Sequence, residues 1–190
     1  WAGHLGIPQL PDVVREIDSA STTLLFTNTR SQCEQWYQAL LEARPDWAGL
    51  IALHHGSLDV AQRRKVEDAM AAGRLKAVVC TSSLDLGIDW GDVDIVIQVG
   101  APKGSSRLLQ RIGRANHRLD DPSKALLVPS NRFACDHLEE QLPPTEALGD
   151  RYVVVRAEPV APRSRPRHPE GEPTLVRVVA LRDGTRVTVD

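Results

Sequence analysis

Short apolar runs alternate with amphipathic stretches along most of the chain, and this alternation limits the fold more than any other feature of the sequence. Between the runs, apolar residues recur at helical spacing, as Trp36, Leu40 and Leu41 do. Runs that are apolar at every position are typical of a parallel sheet whose two faces are covered by helices, so the sequence predicts an α/β fold. The predicted strands are 23–27, 50–53, 76–80, 93–99 and 125–128, and the predicted helices are 13–17, 31–43, 59–72 and 105–115.

Two of the helix boundaries carry specific signals. Ser31 and Glu34 have the spacing of a capping box, in which each side chain satisfies a free backbone N–H at the start of a helix. Gly73 follows the helix over 59–72 at a position typical of a helix C-terminus.

The last quarter of the chain differs in composition from the rest. Prolines and arginines are interleaved over 143–170, which predicts a basic, extended linker. The apolar runs 175–179 and 186–189 flank Asp183 and Gly184, which predicts a β-hairpin. The predicted organisation is therefore an α/β domain over 1–142, a linker over 143–170 and a small β-rich appendage over 171–190.

Composition excludes several classes of protein. The formal net charge is −2, so any nucleic-acid surface must be local rather than global. The three cysteines form no CxxC pair, which favours free thiols in a reducing compartment over zinc or disulfides. No apolar run is long enough to span a membrane and no signal peptide is visible, so we expect a cytoplasmic protein without a membrane partner. Because Trp1 stands first instead of methionine, we expect a fragment of a longer protein.

The stretch 110–118 is the most informative part of the sequence. On a helix, Gln110, Arg114 and His117 share one face, and Arg111 and Arg118 share a neighbouring one. Arginine suits a phosphoryl group because its planar fork donates two parallel hydrogen bonds and keeps its charge. From spacing alone, a phosphate-binding helix and a solvated basic face are equally compatible with this pattern.

Two further stretches, 54–58 and 81–94, follow predicted strands, and a third, 24–30, begins within a predicted strand and runs past its end. Loops at the carboxyl ends of parallel strands are the usual place for ligands. Each stretch also permits a plainer interpretation, which is loop polarity for 24–30, and turn or capping chemistry for Asp85 and Asp89. His54 and His55 point apart on a strand and have no evident third ligand, so we expect no metal site there.

Taken together and in order, these stretches resemble the motifs of superfamily 2 helicases. Gln110–Arg114 resembles motif VI, 81–94 resembles motif V, 24–30 resembles motif IV, and 54–58 resembles the segment between motifs IV and V. The ending Asn116-His117-Arg118 resembles the Lhr (large helicase-related) branch, and 1–6 and 129–132 fit the ligase-associated bacterial kind best. The resemblance covers roughly residues 1–133 and implies a second RecA-like domain, a P-loop NTPase fold without its own P-loop.

The resemblance also implies roles for individual residues. Arg114 would be an arginine finger that reaches the γ-phosphate of ATP, with Arg111 and Gln110 as further catalytic residues. The nucleotide, ATP with Mg²⁺, would be bound jointly with a first RecA-like domain. The residues implied to face that nucleotide are Gly87, Asp89, Arg114 and His117. The residues implied to contact single-stranded or duplex nucleic acid, DNA by resemblance, are Thr27, Asn28, Arg30, His55, Gly56, Thr81 and Ser82.

The sequence contains no GxxxxGK[ST] string and no Asp-Glu-x-His box. The stretch 100–105 has a lysine and glycines, but the lysine precedes the last glycine, so it is not a P-loop. We therefore expect the isolated chain not to hydrolyse ATP. The first hypothesis is half of an ATP-dependent 3′-to-5′ DNA helicase or translocase. The alternative is a non-catalytic RecA-like module that binds nucleic acid or protein with help from the basic stretch 151–167.

Overall fold

The computed structural model describes residues 5–85, 93–101, 104–112, 115, 124–128, 153–156 and 176–179. Short 3₁₀ turns lie at Ile7–Gln9, Pro45–Trp47 and Ser82–Leu84. The helices are α1 (Leu10–Ser19), α2 (Arg30–Ala43), α3 (Val60–Ala71) and α4 (Ser105–Ile112). The strands are β1 (Thr23–Phe26), β2 (Ile51–His54), β3 (Ala77–Cys80), β4 (Ile95–Val99), β5 (Lys124–Val128), β6 (Val153–Arg156) and β7 (Val176–Val179).

The strands form one sheet in the order β2-β3-β1-β4-β5-β7-β6. The first five strands in this order are parallel, and Thr23 of β1 is in register with Ala77 on one side and Ile95 on the other. All five predicted strands are present, and the predicted parallel sheet flanked by helices is confirmed. Among the described residues, no helix has the length and apolar character needed to cross a membrane.

The pleat of the strands divides the core into two halves. Leu24 and Phe26 of β1 point to the face covered by α3 and α4, whereas Leu25 between them points to the face covered by α1 and α2. The same alternation runs through β3, β4 and β5. Each strand is therefore buried on both sides, which explains why the strands are apolar at nearly every position.

Trp36 anchors the α1/α2 face. Its side chain is fully buried in α2, and its indole Nε1 donates a hydrogen bond of 2.7 Å to the backbone oxygen of Leu5. A buried tryptophan needs such a partner for its one polar group. The contact fastens the segment that leads into α1 to the core.

The N-cap of helix α2 lies two residues before the predicted one, Ser31. The N-cap is Thr29, whose hydroxyl accepts a hydrogen bond of 3.2 Å from Gln32 N. Gln32 Oε1 in turn accepts a hydrogen bond of 3.3 Å from Asn28 N. The prediction of Ser31 and Glu34 as the capping pair is therefore wrong. Thr29 and Gln32 have the same spacing, and Thr29 prevails because its extended backbone already lies outside the helix.

The predicted end of α3 is confirmed. Gly73 has a φ of 65°, in the left-handed region that glycine adopts without strain. Gly73 N donates to Met70 O and Arg74 N donates to Ala69 O, the hydrogen-bond pair of a Schellman motif.

Strand β6 lies inside 143–170, the range that the sequence predicts to be a linker. It contains Val153, Val154 and Val155, an apolar run with strand propensity among prolines and arginines. β7 matches the first strand of the predicted hairpin, but it pairs antiparallel with β5 and β6. The second predicted strand, 186–189, lies outside the described residues. A hairpin signal is local, whereas the free edge of β5 offers a full row of hydrogen-bonding groups to any extended segment.

The cap of α2 gives a direct stability test. We expect Thr29→Ala to lower the free energy of unfolding by about 1 kcal/mol, because the N–H of Gln32 loses its acceptor. Ser31→Ala is the matched control on the same helix and is expected to change stability by less than about 0.5 kcal/mol. Urea unfolding of the chain measures both. A larger loss for Ser31→Ala than for Thr29→Ala would contradict the observed cap.

Candidate nucleic-acid interface

The order of the strands brings four loops together at the carboxyl edge of the sheet. Thr27 follows β1, His55 follows β2, Thr81 follows β3 and Gly100 follows β4, and these four strands are neighbours. Backbone hydrogen bonds continue into the loops, because Thr27 N donates to Cys80 O at 2.8 Å and Thr81 N donates to His54 O at 3.2 Å. The loops therefore start from fixed positions, at the edge where ligands of such sheets bind.

The residues after β1 divide into a buried and an exposed group. Thr27 is fully buried, and its hydroxyl lies 3.2 Å from both Cys80 O and Thr29 O. Asn28 is exposed, and its amide Nδ2 donates to Ala101 O at 2.8 Å. Arg30 is also exposed and lies 3.4 Å from Glu34, a surface ion pair of small energetic value. The side chains available to a ligand here are therefore those of Asn28 and Arg30.

His55 is placed differently from its neighbours in the same loop. Its ring is only 4% exposed, and its Nδ1 accepts a hydrogen bond of 3.3 Å from Ser57 N. Its Nε2 lies 3.5 Å from Glu34 Oε1. Gly56 is exposed, with open space around its Cα. The loop therefore presents the backbone of Gly56 to solvent and turns the imidazole inward.

His54 connects β2 to the segment after β3. Its Nδ1 lies 2.8 Å from Ser83 Oγ, and its Nε2 lies 3.1 Å from Glu67 Oε1 on α3. Burial lowers the pKa of His54 below its usual value, and the neighbouring carboxylate of Glu67 opposes this shift only in part. Thr81 is half-buried next to this group, while Ser82 is exposed. Among the described residues, no cluster of three or more metal-ligating side chains is present.

The thiols in the described part of the chain are not poised for chemistry. Cys33 and Cys80 are buried and free, and they lie on opposite faces of the sheet. Burial raises the pKa of Cys33 to about 12 and raises the pKa of Cys80 well above its usual value. Both are therefore protonated and inert near neutral pH. Cys135 lies outside the described residues.

Arg111 forms a buried ionic network. Its Nε and Nη2 donate to the two oxygens of Asp85 at 2.7 and 3.1 Å, and its Nη1 donates to Gln98 Oε1 at 2.6 Å. Its Cζ lies 4.5 Å from the ring centre of Phe26. Arg111 is 2% exposed, Asp85 7% and Gln98 not at all. The guanidinium is thus held by protein groups and binds α4 to the segment after β3.

Of the residues expected to act on the nucleotide, the structure describes two. Gln110 is exposed on α4, and Arg111 is buried in the network with Asp85. Gly87, Asp89, Arg114 and His117 lie outside the described residues, so their roles stay predictions. Asp94, at the end of the stretch 81–94, lies at the opposite edge of the sheet, where it accepts hydrogen bonds from Ser21 N and Thr22 N.

The edge loops and α4 line a partly open polar cavity of about 270 Å³. It is lined by Thr27, Asn28, Ser82, Ala101, Arg107 and Arg111. Apart from Ala101, the lining residue that was not predicted from the sequence is Arg107. It precedes Arg111 by one helical turn, and this i, i+4 spacing was the available signal that both face the same side of α4.

The family model of the helicase conserved C-terminal domain matches residues 7–118, more than half of the chain. The chain belongs to this helicase family. A model of the IgGFc binding protein family matches residues 122–190, which is a smaller part of the chain and includes β5 of the helicase sheet.

Curated relatives of this helicase domain include Lhr-type proteins. The chain is 46% identical over 116 residues to the ATP-dependent helicase Lhr-Core protein 2 of Thermococcus barophilus, covering 61% of this chain and 13% of that protein. It is 53% identical over 83 residues to a Lhr helicase/probable uracil glycosylase of Mycolicibacterium smegmatis, covering 44% of this chain and 6% of that protein. The resemblance to the Lhr branch is confirmed, whereas the closer affinity to ligase-associated helicases stays a prediction. The chain spans a small part of the length of these relatives.

Solved structures agree with the fold of the helicase domain. The Mycobacterium smegmatis helicase Lhr bound to ssDNA and AMP-PNP matches with a TM-score of 0.64 and 39% identity, covering 68% of this chain and 17% of that one. S. cerevisiae Dbp5 bound to RNA and ADP BeF₃ matches with a TM-score of 0.62 and 20% identity, covering 71% of this chain and 34% of that one. The second match shows the fold alone. The parallel sheet with its flanking helices is that of a RecA-like helicase C-terminal domain.

The buried network of the helicase domain predicts a large effect on stability. We expect Arg111→Met to lower the free energy of unfolding by about 3 kcal/mol, because Asp85 is left as a buried, uncompensated charge. The matched control is Arg15→Met at an exposed position of α1, expected to cost less than about 0.5 kcal/mol. The double variant Arg111→Met/Asp85→Leu should be more stable than Arg111→Met. Urea unfolding compares the three, and equal losses for Arg111→Met and Arg15→Met would contradict the network.

His54 predicts a pH dependence of stability. Because its pKa is lower in the folded state than its usual value near 6.5, protons bind preferentially to the unfolded chain below that pH. Its contribution to stability is therefore complete above about pH 6.5 and is lost as the pH falls through the depressed folded pKa. We expect the free energy of unfolding to fall more steeply with acid in the wild type than in His54→Gln. Parallel curves between about pH 5 and 8 would refute this assignment.

Proposed function

We propose that the chain is the second RecA-like part of an ATP-dependent helicase or translocase motor. In this proposal the carboxyl edge of the sheet contacts one nucleic-acid strand, and Arg114 reaches the γ-phosphate of ATP bound against a first RecA-like domain. The observation that carries the proposal is the convergence of the loops after β1, β2 and β3 with α4 at one edge of the sheet.

The strand contacts are supported by what these loops expose. Asn28, Arg30, Gly56 and Ser82 are all exposed at or beside the carboxyl edge. Amide, guanidinium, backbone and hydroxyl groups of this kind are the usual donors to phosphate oxygens, and they contact the backbone without reading base sequence. Thr27 and His55 are buried, so we propose that they shape these loops and that their exposed neighbours contact the strand. The Lhr helicase of Mycobacterium smegmatis, which this chain resembles, was solved with ssDNA.

The nucleotide role is supported by the way α4 is fixed. Arg111 pins the end of α4 to Asp85, and Gly87 and Asp89 follow Asp85 in the sequence, as Arg114 follows Arg111. The ion pair therefore holds together Asp85 and Arg111, after which the two stretches proposed to face the nucleotide continue in the sequence. We propose that Arg111 is a positioning residue for Arg114, since each of its three guanidinium nitrogens already donates to Asp85 or Gln98 and the residue is buried.

When bound, ATP with Mg²⁺ would supply the β–γ phosphoanhydride bond whose hydrolysis drives movement. Gly87, Asp89, Arg114 and His117 would face it from this chain, with Gln110 exposed on α4 beside them. The first RecA-like domain would supply the P-loop, since this sequence has none. Closure of the two domains would bring Arg114 to the transition-state charge, and reopening would let the strand advance.

The test is ATP hydrolysis by the full chain combined with a first RecA-like domain that carries a P-loop. We expect Arg114→Ala to lower kcat by about a thousandfold or more with little change in KM, because a finger acts mainly on the transition state. Arg15→Ala, which removes the same charge from α1, is the control and should leave kcat unchanged.

Two outcomes would argue against the proposal. Equal kcat for Arg114→Ala and wild type would remove the finger from Arg114. Turnover that does not rise when the chain is added would favour the alternative, a RecA-like module that binds without catalysis.

A further inference from the structure

The polar cavity at the carboxyl edge is lined by a cationic side chain, that of Arg107, which has no role yet in the fold or in the arginine-finger hypothesis. Arg107 lies in the first turns of α4, its side chain is 44% exposed, and it faces the cavity beside Asn28 and Ser82. Its Nε lies 3.5 Å from Asp85 Oδ2, which is beyond the length of a good hydrogen bond.

The neighbouring carboxylate does not neutralise Arg107. Both oxygens of Asp85 already accept hydrogen bonds from Arg111 at 2.7 and 3.1 Å. Two guanidiniums thus share one carboxylate, so this wall of the cavity carries an excess positive charge among the described residues. Such an excess favours an anionic occupant, and a partly enclosed site strengthens the attraction relative to open water.

The other lining groups match the oxygens of a phosphate. The amide of Asn28 uses one N–H on Ala101 O and has a second to offer, and Ser82 contributes an exposed hydroxyl. The cavity of about 270 Å³ is several times the volume of a water molecule, which is about 30 Å³. Guanidinium, amide and hydroxyl donors around one such space form a typical phosphate-binding set.

We propose that the cavity lined by Asn28, Ser82 and Arg107 is a subsite for one phosphodiester group of the bound strand, with Arg107 as its cation. This inference rests on the proposed strand-binding function and adds to it a further contacting residue and the position of that contact. Arg107 lies near the start of α4, roughly 7 Å along the helix axis from Ile112, which is the end that leads to Arg114.

The first experiment measures binding of a fluorescent thymidine oligonucleotide to the full chain over a range of salt concentrations. We expect Arg107→Gln to weaken binding roughly tenfold at moderate salt and to reduce the slope of log affinity against log salt by about 0.7, the value for one lost phosphate contact on a single strand. Arg15→Gln removes the same charge from the opposite helical layer and should change affinity less than twofold. Equal effects of the two variants would overturn the subsite.

A second experiment locates the contact on the strand. Single neutral methylphosphonate linkages are placed along the oligonucleotide one at a time. We expect the substitution of one particular linkage to weaken binding by wild type but not by Arg107→Gln, because the variant has already lost that contact. If Arg107→Gln is as sensitive as wild type at every linkage, the subsite is wrong.

The remaining comparisons separate the possible failures. Wild type that binds the strand weakly and without salt dependence would remove the proposed strand-binding function itself. Salt-dependent wild-type binding that Arg107→Gln leaves intact would remove only the subsite. A third outcome is that Arg107→Gln leaves strand binding unchanged but makes ATP or inorganic phosphate a weaker competitor of the strand. This outcome would assign the cavity to the nucleotide and overturn the proposal. Arg107→Lys, which keeps the charge and loses the fork, should retain the salt slope while losing part of the affinity, and it serves if Arg107→Gln does not fold.

Discussion

The bidentate pair between Arg111 and Asp85 is the interaction on which the carboxyl edge of the sheet depends. It joins the end of α4 to the segment after β3, and Gln98 on β4 completes the attachment. Both ions are almost completely buried, so the cost of removing them from water largely cancels their attraction. The intact pair therefore adds little net stability. Breaking the pair is costly, because either partner alone is a buried charge. The pair therefore fixes an arrangement more than it strengthens the fold.

This arrangement connects the two activities proposed for the edge. Ser82, which is proposed to contact the nucleic-acid strand, lies in the segment that Asp85 ends. Helix α4 carries Arg107 near one end and leads to Arg114 at the other. Because Arg111 fixes α4 to that segment, the groups proposed to contact the strand and the nucleotide would move as one unit. A change in position relative to a first RecA-like domain would then act on both ligands at once, which is what coupling of hydrolysis to movement requires.

The fold could be predicted from the sequence because the hydrophobic patterns that determine it are local and recur along the chain. Strands buried on both faces must be apolar throughout, and amphipathic helices must show helical spacing, so β1 to β5 and α2 to α4 were all predicted. The failures came where partners compete. Thr29 and Ser31 are both good caps, and only the backbone path decides between them. The partners of β7 depended on which edge was free, and β6 was hidden in a segment dominated by prolines and arginines.

The site was harder to predict because the type of a residue does not reveal whether its charge is already paired with another group of the protein. Arg107 and Arg111 are identical side chains one helical turn apart, yet one is buried in a network and the other faces a cavity. The deciding factor is Asp85, which has only two oxygens. Arg111 uses both, helped by Gln98 and by the ring of Phe26, and so Arg107 keeps a charge without an equal partner. An arginine that donates to both oxygens of a shared carboxylate thereby leaves the next arginine available to a ligand.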